Sequence, residues 1–267
     1  MTKILPVLVL ATFLLPLTAQ ADDSWSGAGE LGFAATRGNT RSENLNAKLQ
    51  FGKEDQTWKD NFYLTALRSK GEVKTTSVID GKPVTTTAYD LTANRYEAGA
   101  SIGYKLDERS YVVGALRYEN DDFSSYEYQA VLSLGYGYTL YKTPSTELAA
   151  EVGPGYKRSQ PVDVYGPEVV DGVPVKHSFD SEGELVGRGL VTWKHKFNAS
   201  TRFVNTLLVE AGSDNTFLQN DAGLQVDMNS RLALKVGYQV RYNTDVAPGI
   251  DKTDQLMTTN LVYKFGQ

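Results

Sequence analysis

The sequence predicts an all-β protein: a transmembrane, antiparallel, up-and-down β-barrel of about twelve strands, of the outer-membrane type. Three observations predict it. Residues 126–140, "YEYQAVLSLGYGYTL", place Tyr126, Tyr128, Ala130, Leu132, Leu134, Tyr136, Tyr138 and Leu140 at every second position, and period two marks a strand with one apolar face. The links between such stretches alternate between tight turns and longer connections, as periplasmic turns and outer loops do in membrane barrels. The chain also opens on an apolar leader that reads as an export signal.

The leader comes first in order. Lys3 precedes the uncharged "ILPVLVLATFLLPLTA", and "AQA" at 19–21 precedes "DDSW", the arrangement of a secretory signal peptide cleaved after Ala21. A spanning helix needs roughly 20 apolar residues; this stretch is shorter and holds Pro6 and Pro16. Residues 22–267 are then a single barrel domain. Of 27 Lys and Arg, cleavage removes Lys3, leaving 26 basic residues against 32 acidic and a net charge of −6. The chain has no cysteine, so disulfides and thiolate chemistry are excluded even though an exported protein meets a compartment that permits them.

Twelve alternating segments follow, near 25–35, 43–52, 57–68, 89–104, 110–119, 126–140, 146–157, 182–195, 201–212, 217–228, 231–243 and 253–265. "KEDQ", "KLDERS", "YKTPS", "KFNAS" and "MNS" are the tight turns. The longer links are "TRGNTRSE", 69–88, "NDDFSS", 158–181, "SDNT" and "NTDVAPGIDK"; "SDNT" is as short as a turn and fits the pattern least. An even strand count puts both termini in the periplasm.

The length of 126–140 has a physical reason. Twelve steps from Tyr126 to Tyr138 span roughly 40 Å of strand, or about 30 Å of height once tilted. Ala130, Leu132 and Leu134 sit between two tyrosine pairs, as an apolar band does between aromatic girdles. The fourth segment repeats this with Tyr96, Ala98, Ala100, Ile102 and Tyr104, the eleventh with Leu232, Leu234, Val236, Tyr238, Val240 and Tyr242, and the last with Leu261, Tyr263 and Phe265. The girdle candidates are Tyr104, Tyr126, Tyr128, Tyr136, Tyr138, Tyr238, Tyr263 and Phe265. A soluble barrel also alternates, but with its apolar face inward; strand length, leader and paired aromatics together favour the membrane.

Several short motifs carry a family likeness: "WSG" at 25–27, "ELG" at 30–32, "GNT" at 38–40, "YENDDF" at 118–123, "LGYGY" at 134–138, "EVGPGY" at 151–156, "LALKVGYQVRYN" at 232–243 and "KTD" at 252–254 before "NLVYKF". In this order and spacing the chain resembles, almost end to end, the YdiY-like family of salt-induced outer-membrane proteins, a domain family of unknown function. The resemblance implies an outer-membrane barrel linked to salt or osmotic stress and supplies no catalytic residues. The tail departs from the usual pattern, because Gly266 and Gln267 follow the terminal aromatic Phe265.

With tyrosines toward lipid, the opposite face lines the interior. Its candidates are Arg95, Glu97, Arg117, Glu119, Glu127, Glu147, Glu151, Glu184, Arg188, Lys235 and Arg241, with Glu30, Asn44, Asn46, Lys48, Glu210, Asp221 and Asp227 in the same phase. Ions in a narrow interior need partners or water. Arg95 with Glu97, Arg117 with Glu119 and Glu184 with Arg188 are the pairs suggested along single strands. Two readings stay open: a hydrated channel whose charges select solutes, or a lattice of salt bridges that fills the lumen. Inward glycines, among them Gly99 and Gly137, are expected to leave lumenal space, and "GPG" at 153–155 to break or bulge the ladder. "IDGKPV" at 79–84 and "VDGVPV" at 170–175 predict Asp-Gly type I′ hairpins rising beyond the membrane.

An enzyme is not expected. His177 and His195 are the chain's two histidines, one in a predicted loop and one at a strand end beside Trp193, and no nucleophile with base and acid assembles around either. No catalytic residue, metal site or cofactor is assigned. The acidic residues of the 158–181 link match no calcium loop. The acidic balance argues against nucleic acid. The expected partners are outer-membrane lipids, the barrel-assembly machinery during biogenesis, and small ions or solutes. The leading expectation is a small passive channel tied to salt or osmotic adaptation of the envelope; the alternative is a non-conducting structural or surface-binding barrel with a filled lumen.

Overall fold

The computed structural model describes residues 25–36, 41–79, 82–170, 173–247 and 250–266; the leader, "GNT" and the two Asp-Gly dipeptides lie outside them. The strands in chain order are β1 (Trp25–Thr36), β2 (Ser42–Glu54), β3 (Trp58–Ile79), β4 (Lys82–Lys105), β5 (Ser110–Asp121), β6 (Tyr126–Lys142) and β7 (Thr146–Pro161). β8 (Val164–Val170) and β9 (Val173–His177) form a separate two-stranded sheet. β10 (Glu182–Lys196), β11 (Thr201–Ala211), β12 (Thr216–Asp227), β13 (Leu232–Asn243) and β14 (Thr253–Phe265) complete the set. Twelve of them close an antiparallel barrel in which β1 pairs with both β2 and β14. No helix among the described residues is long and apolar enough to cross a membrane.

The two longest links are hairpins, as their sequences indicate. β3 and β4 continue past the barrel until Ile79 pairs Lys82, with a register shift between Ser69 and Lys70. β8 and β9 pair out to Val170 opposite Val173. The Asp-Gly turn expectations fall on residues 80–81 and 171–172, outside the described residues. The short "SDNT" link is accounted for by Asn215, which is buried and whose amide donates to Asn243 Oδ1 at 2.8 Å while its Oδ1 accepts from Thr244 Oγ1 and the Asp245 backbone N–H. Those bonds tie the link to the start of the β13–β14 connection.

The faces divide as the alternation requires. Leu132 (63% exposed), Leu134, Leu116, Val152, Leu185, Leu234 and Leu261 point outward. The buried apolar residues Val113, Ala115, Val131, Ala149, Val186, Leu208 and Phe217 are out of phase with them and point inward. So the interior is not purely polar: its β5–β12 side carries a small packed core. Nor do the glycines leave open lumen throughout. A Cβ at Gly99 would lie 2.1 Å from the Tyr63 ring, and one at Gly137 would lie 2.2 Å from the Tyr111 ring. Inward tyrosines from the neighbouring strands fill those gaps. "GPG" interrupts pairing without shifting register: β6 pairs β7 at Ser133–Gly155 and again at Tyr136–Val152, with nothing between. A Cβ at Gly153 would meet Leu134 O at 2.1 Å, so the strands approach there closer than any other residue permits.

Candidate functional site

The interior charges form a network across the barrel. Arg117 on β5 donates through Nε to Glu210 Oε1 on β11 at 3.1 Å and through Nη2 to Glu210 Oε2, a two-pronged contact with a wholly buried carboxylate. Its Nη1 reaches Glu119 at 3.1 Å. Arg241 on β13 donates to Glu119 at 2.5 Å and to Asp121 at 3.4 Å. Both guanidinium groups lie over the Phe217 ring, at 4.8 Å and 5.0 Å from its centroid. Arg95 on β4 donates to Gln239 on β13 at 2.6 Å and lies 3.9 Å from Asp121, while Gln239 donates to Asp221 at 2.6 Å.

Ring position gives this network its meaning. In the order β1-β14-β13-β12-β11-β10-β7-β6-β5-β4-β3-β2, strands β5 and β13 are diametrically opposite. An arginine and a glutamate that meet from opposite walls bridge the bore at that level. Charge-assisted, two-pronged contacts are the strong class of hydrogen bond, and stacking on an aromatic face adds to them where water is excluded. The network lies toward the long-loop end, since Asp121, Arg241 and Phe217 are at or near the strand ends there. Above it a small cavity of about 30 Å³ is bounded by Asp121, Phe123, Tyr126, Arg241 and Asp254, room for about one water.

Outside the network the interior is bonded in smaller groups. Lys235 donates to Glu30 at 2.7 Å, Asn260 to Glu30 at 3.2 Å, and Asn46 to Asn260 at 3.0 Å. Tyr63 donates to Glu97 at 2.5 Å. Glu151 accepts from Tyr111 at 3.0 Å and from Arg188 at 3.1 Å. Glu147 accepts from Lys194 at 3.3 Å, and Lys157, buried, pairs with Glu184.

Three sequence expectations need correction. Of the single-strand pairs, Arg117 does meet Glu119, but Arg95 reaches Asp121 and Gln239 instead of Glu97, and Glu184 and Arg188 pair with Lys157 and Glu151. Glu127 does not line the lumen. The β6–β7 register shifts between Tyr126 and Tyr128, and Glu127 sits exposed on that bulge. The same bulge reverses the phase of Tyr126, which lines the mouth cavity and is not in the girdle; an extra residue flips every side chain beyond it. Tyr104, Tyr136, Tyr138, Tyr238 and Tyr263 are exposed on the outward face. Tyr128 stacks on Tyr118 at 6.0 Å, and Phe265 meets Phe51 edge-on at 5.5 Å.

Sequence reasoning missed Phe217, Lys157, Asn215 and Tyr63. Phe217 and Tyr63 had a readable signal, as aromatics on the polar phase of their strands, and Lys157 shares the phase of Glu147 and Glu151; Asn215 had none. The two histidines lie far apart in the fold, His177 exposed on β9 and His195 at the short-turn end, where Nδ1 is 2.8 Å from Thr146 Oγ1 and the ring packs edge-on to Phe197.

Known proteins resemble this chain in sequence and in structure. The uncharacterized protein YdiY of Escherichia coli is 26% identical over 246 residues, 92% of this chain and 85% of that protein. The translocator domain of the autotransporter NalP from Neisseria meningitidis superposes with a TM-score of 0.52 at 11% identity, covering 93% of this chain and 91% of that one, a likeness of fold. The NanC porin gives a TM-score of 0.47 at 11% identity over 90% and 98%. Residues 29–265 match the family described as "Protein of unknown function, DUF481", and the chain belongs to that family.

Proposed function

We propose that this protein is an outer-membrane barrel that stands closed along its axis, its long-loop end stoppered by the Arg117–Glu119–Glu210–Arg241 network, and that it serves the envelope as a non-conducting barrel at rest. The observation that carries this reading is the Arg241–Glu119 contact between diametrically opposite strands. A buried pair responds little to ionic strength, because screening acts chiefly on exposed charges, so the closure persists in high salt. In this reading residues 1–21 are removed on export, the barrel-assembly machinery inserts the rest, and both termini face the periplasm. The role in salt adaptation that the family resemblance implies belongs to the same proposal, with a rise in protein level after a salt upshift as its readout.

Planar-bilayer recording of the refolded protein tests it. The native chain is expected to give no stable conductance steps. The triple variant Arg117→Ser, Glu119→Ser, Arg241→Ser, checked for folding by its gel migration, is expected to give them. Discrete steps with a reversal potential from the native chain would restore the small-channel reading.

A further inference from the structure

The barrel is not zipped evenly. Every other neighbouring pair of its strands holds ten or more register pairs. The β1–β14 seam holds five, from Gly27 opposite Phe265 to Leu31 opposite Leu261. Beyond Leu31, toward the long loops, residues 32–36 of β1 pair only with β2 and residues 253–260 of β14 pair only with β13, among the described residues. On the lipid face Gln255 accepts from Tyr238 of β13 at 2.7 Å, so β14 is held to its other neighbour along this stretch.

The fork has a floor and two unlike sides. Its floor is the Asn46–Asn260–Glu30–Lys235 chain. Gly32 stands directly over it, where a Cβ would lie 2.1 Å from Asn46 Oδ1 and 2.2 Å from Asn260 Oδ1. The outward residues flanking the fork are Phe33 (69% exposed) and Met257 (74%). The inward residues Ala34, Thr36 and Asn44 are exposed as well, although they face the interior, so this side of the lumen is accessible. Unpaired strand edges do not face hydrocarbon in membrane proteins; their N–H and C=O groups require polar partners.

We propose that the fork is a lateral opening between the barrel interior and the leaflet on the long-loop side. It takes the polar head of a membrane amphiphile while the acyl chain stays in lipid beside Phe33 and Met257. The head is uncharged and rich in hydroxyl or amide groups. Two strand edges and the carboxamides of Asn44 and Asn46 offer donors and acceptors together, while Glu30 and Lys235 already neutralise each other. The axial stopper and the lateral fork are separate features, and the fork holds whether or not the axis conducts.

The absence of cysteine makes the test direct. Ala28 and Lys264 are opposite each other in the closed ladder; the same register continued would set Ala34 opposite Thr258. In liposomes, the Ala28→Cys/Lys264→Cys variant should oxidise readily to a disulfide. Ala34→Cys/Thr258→Cys should not, but should accept a longer bis-maleimide. A fluorophore on Ala34→Cys should be quenched by a nitroxide-labelled alkyl glycoside in the bilayer several-fold more than one on Ala28→Cys. A direct disulfide at 34 and 258 as fast as the control would show a closed seam and overturn the opening. An open seam whose fluorophore the alkyl glycoside leaves unquenched would overturn the amphiphile and give the edges to another occupant, such as a partner's strand.

Discussion

Leu132 and Glu210 show how differently the two faces use their residues. Leu132 is 63% exposed at the middle of the outward face of β6, so its neighbour in the cell is lipid. Leu132→Arg there is expected to destabilise by roughly 2–4 kcal/mol, read from urea-dependent refolding in vesicles; a neutral result would place Leu132 in the interior. Glu210 is 0% exposed and gives both carboxylate oxygens to Arg117. Glu210→Ala strands a buried guanidinium, and removing one partner of such a pair costs roughly 3–5 kcal/mol. The same titration checks it, and a cost well under 1 kcal/mol would mean that water reaches the pair. Replacing the whole cluster by apolar residues is another matter, because desolvation offsets much of what a buried ion pair gains.

At the scale of elements, the short turns repeat one device. Asp55, Asp107, Thr143, Asn198 and Asn229 each donate a backbone N–H to the carbonyl three residues on. In the four Asx turns a side-chain oxygen also caps the N–H groups two and three residues ahead: Thr57 and Trp58, Arg109 and Ser110, Ser200 and Thr201, Arg231 and Leu232. Asx side chains favour turns for this reason. Two of the four caps titrate. The N–H groups of Trp58 and Thr57 hold the Asp55 carboxyl down at about 2, and the Ser110 hydroxyl with the Arg109 and Ser110 N–H groups lowers that of Asp107. A depressed folded value contributes stability that is fully present above the unfolded value, near 3.9, and is lost as pH falls through the folded one. The amide shifts of Thr57 and Trp58 in micelles are expected to titrate with a midpoint at about 2, while those of Ser200 and Thr201, capped by Asn198, stay flat. A midpoint near 4 would mean the Asp55 bonds do not form.

For the whole molecule, closure decides behaviour. Twelve strands satisfy one another's backbone groups around the ring, save along the upper β1–β14 seam and at the Gly-Pro-Gly gap between β6 and β7, and the interior is braced by bonds from wall to wall. Such a barrel is expected to survive detergent unheated and migrate as a compact form on a gel, shifting only after boiling. A chain that never shifts would not be a closed barrel. Twelve strands stand between the eight whose interior side chains fill and the sixteen that leave a water channel, so strand number does not decide whether the axis is open. In the closed-axis proposal the opposite-wall arginine–glutamate contacts do.

What the amino-acid order determined by itself is whatever depends on neighbours along the chain. Period-two alternation is local, and lipid imposes it on every strand in the same phase, so the twelve segments, the outward leucines and the alternation of turns with long links were all legible. The Gly-Pro-Gly signal was legible for the same reason, since it follows from backbone sterics at single positions. Only the tertiary structure decided which inward residues meet. Arg241 and Glu119 lie 122 residues apart, and their contact follows from ring position and the stagger between strands, which no local pattern records. The bulge that turns Tyr126 into the mouth, the tyrosines that fill the glycine gaps, and the seam that stops at Leu31 belong to the same class. Each depends on how one strand registers against another, and register is a property of the closed sheet.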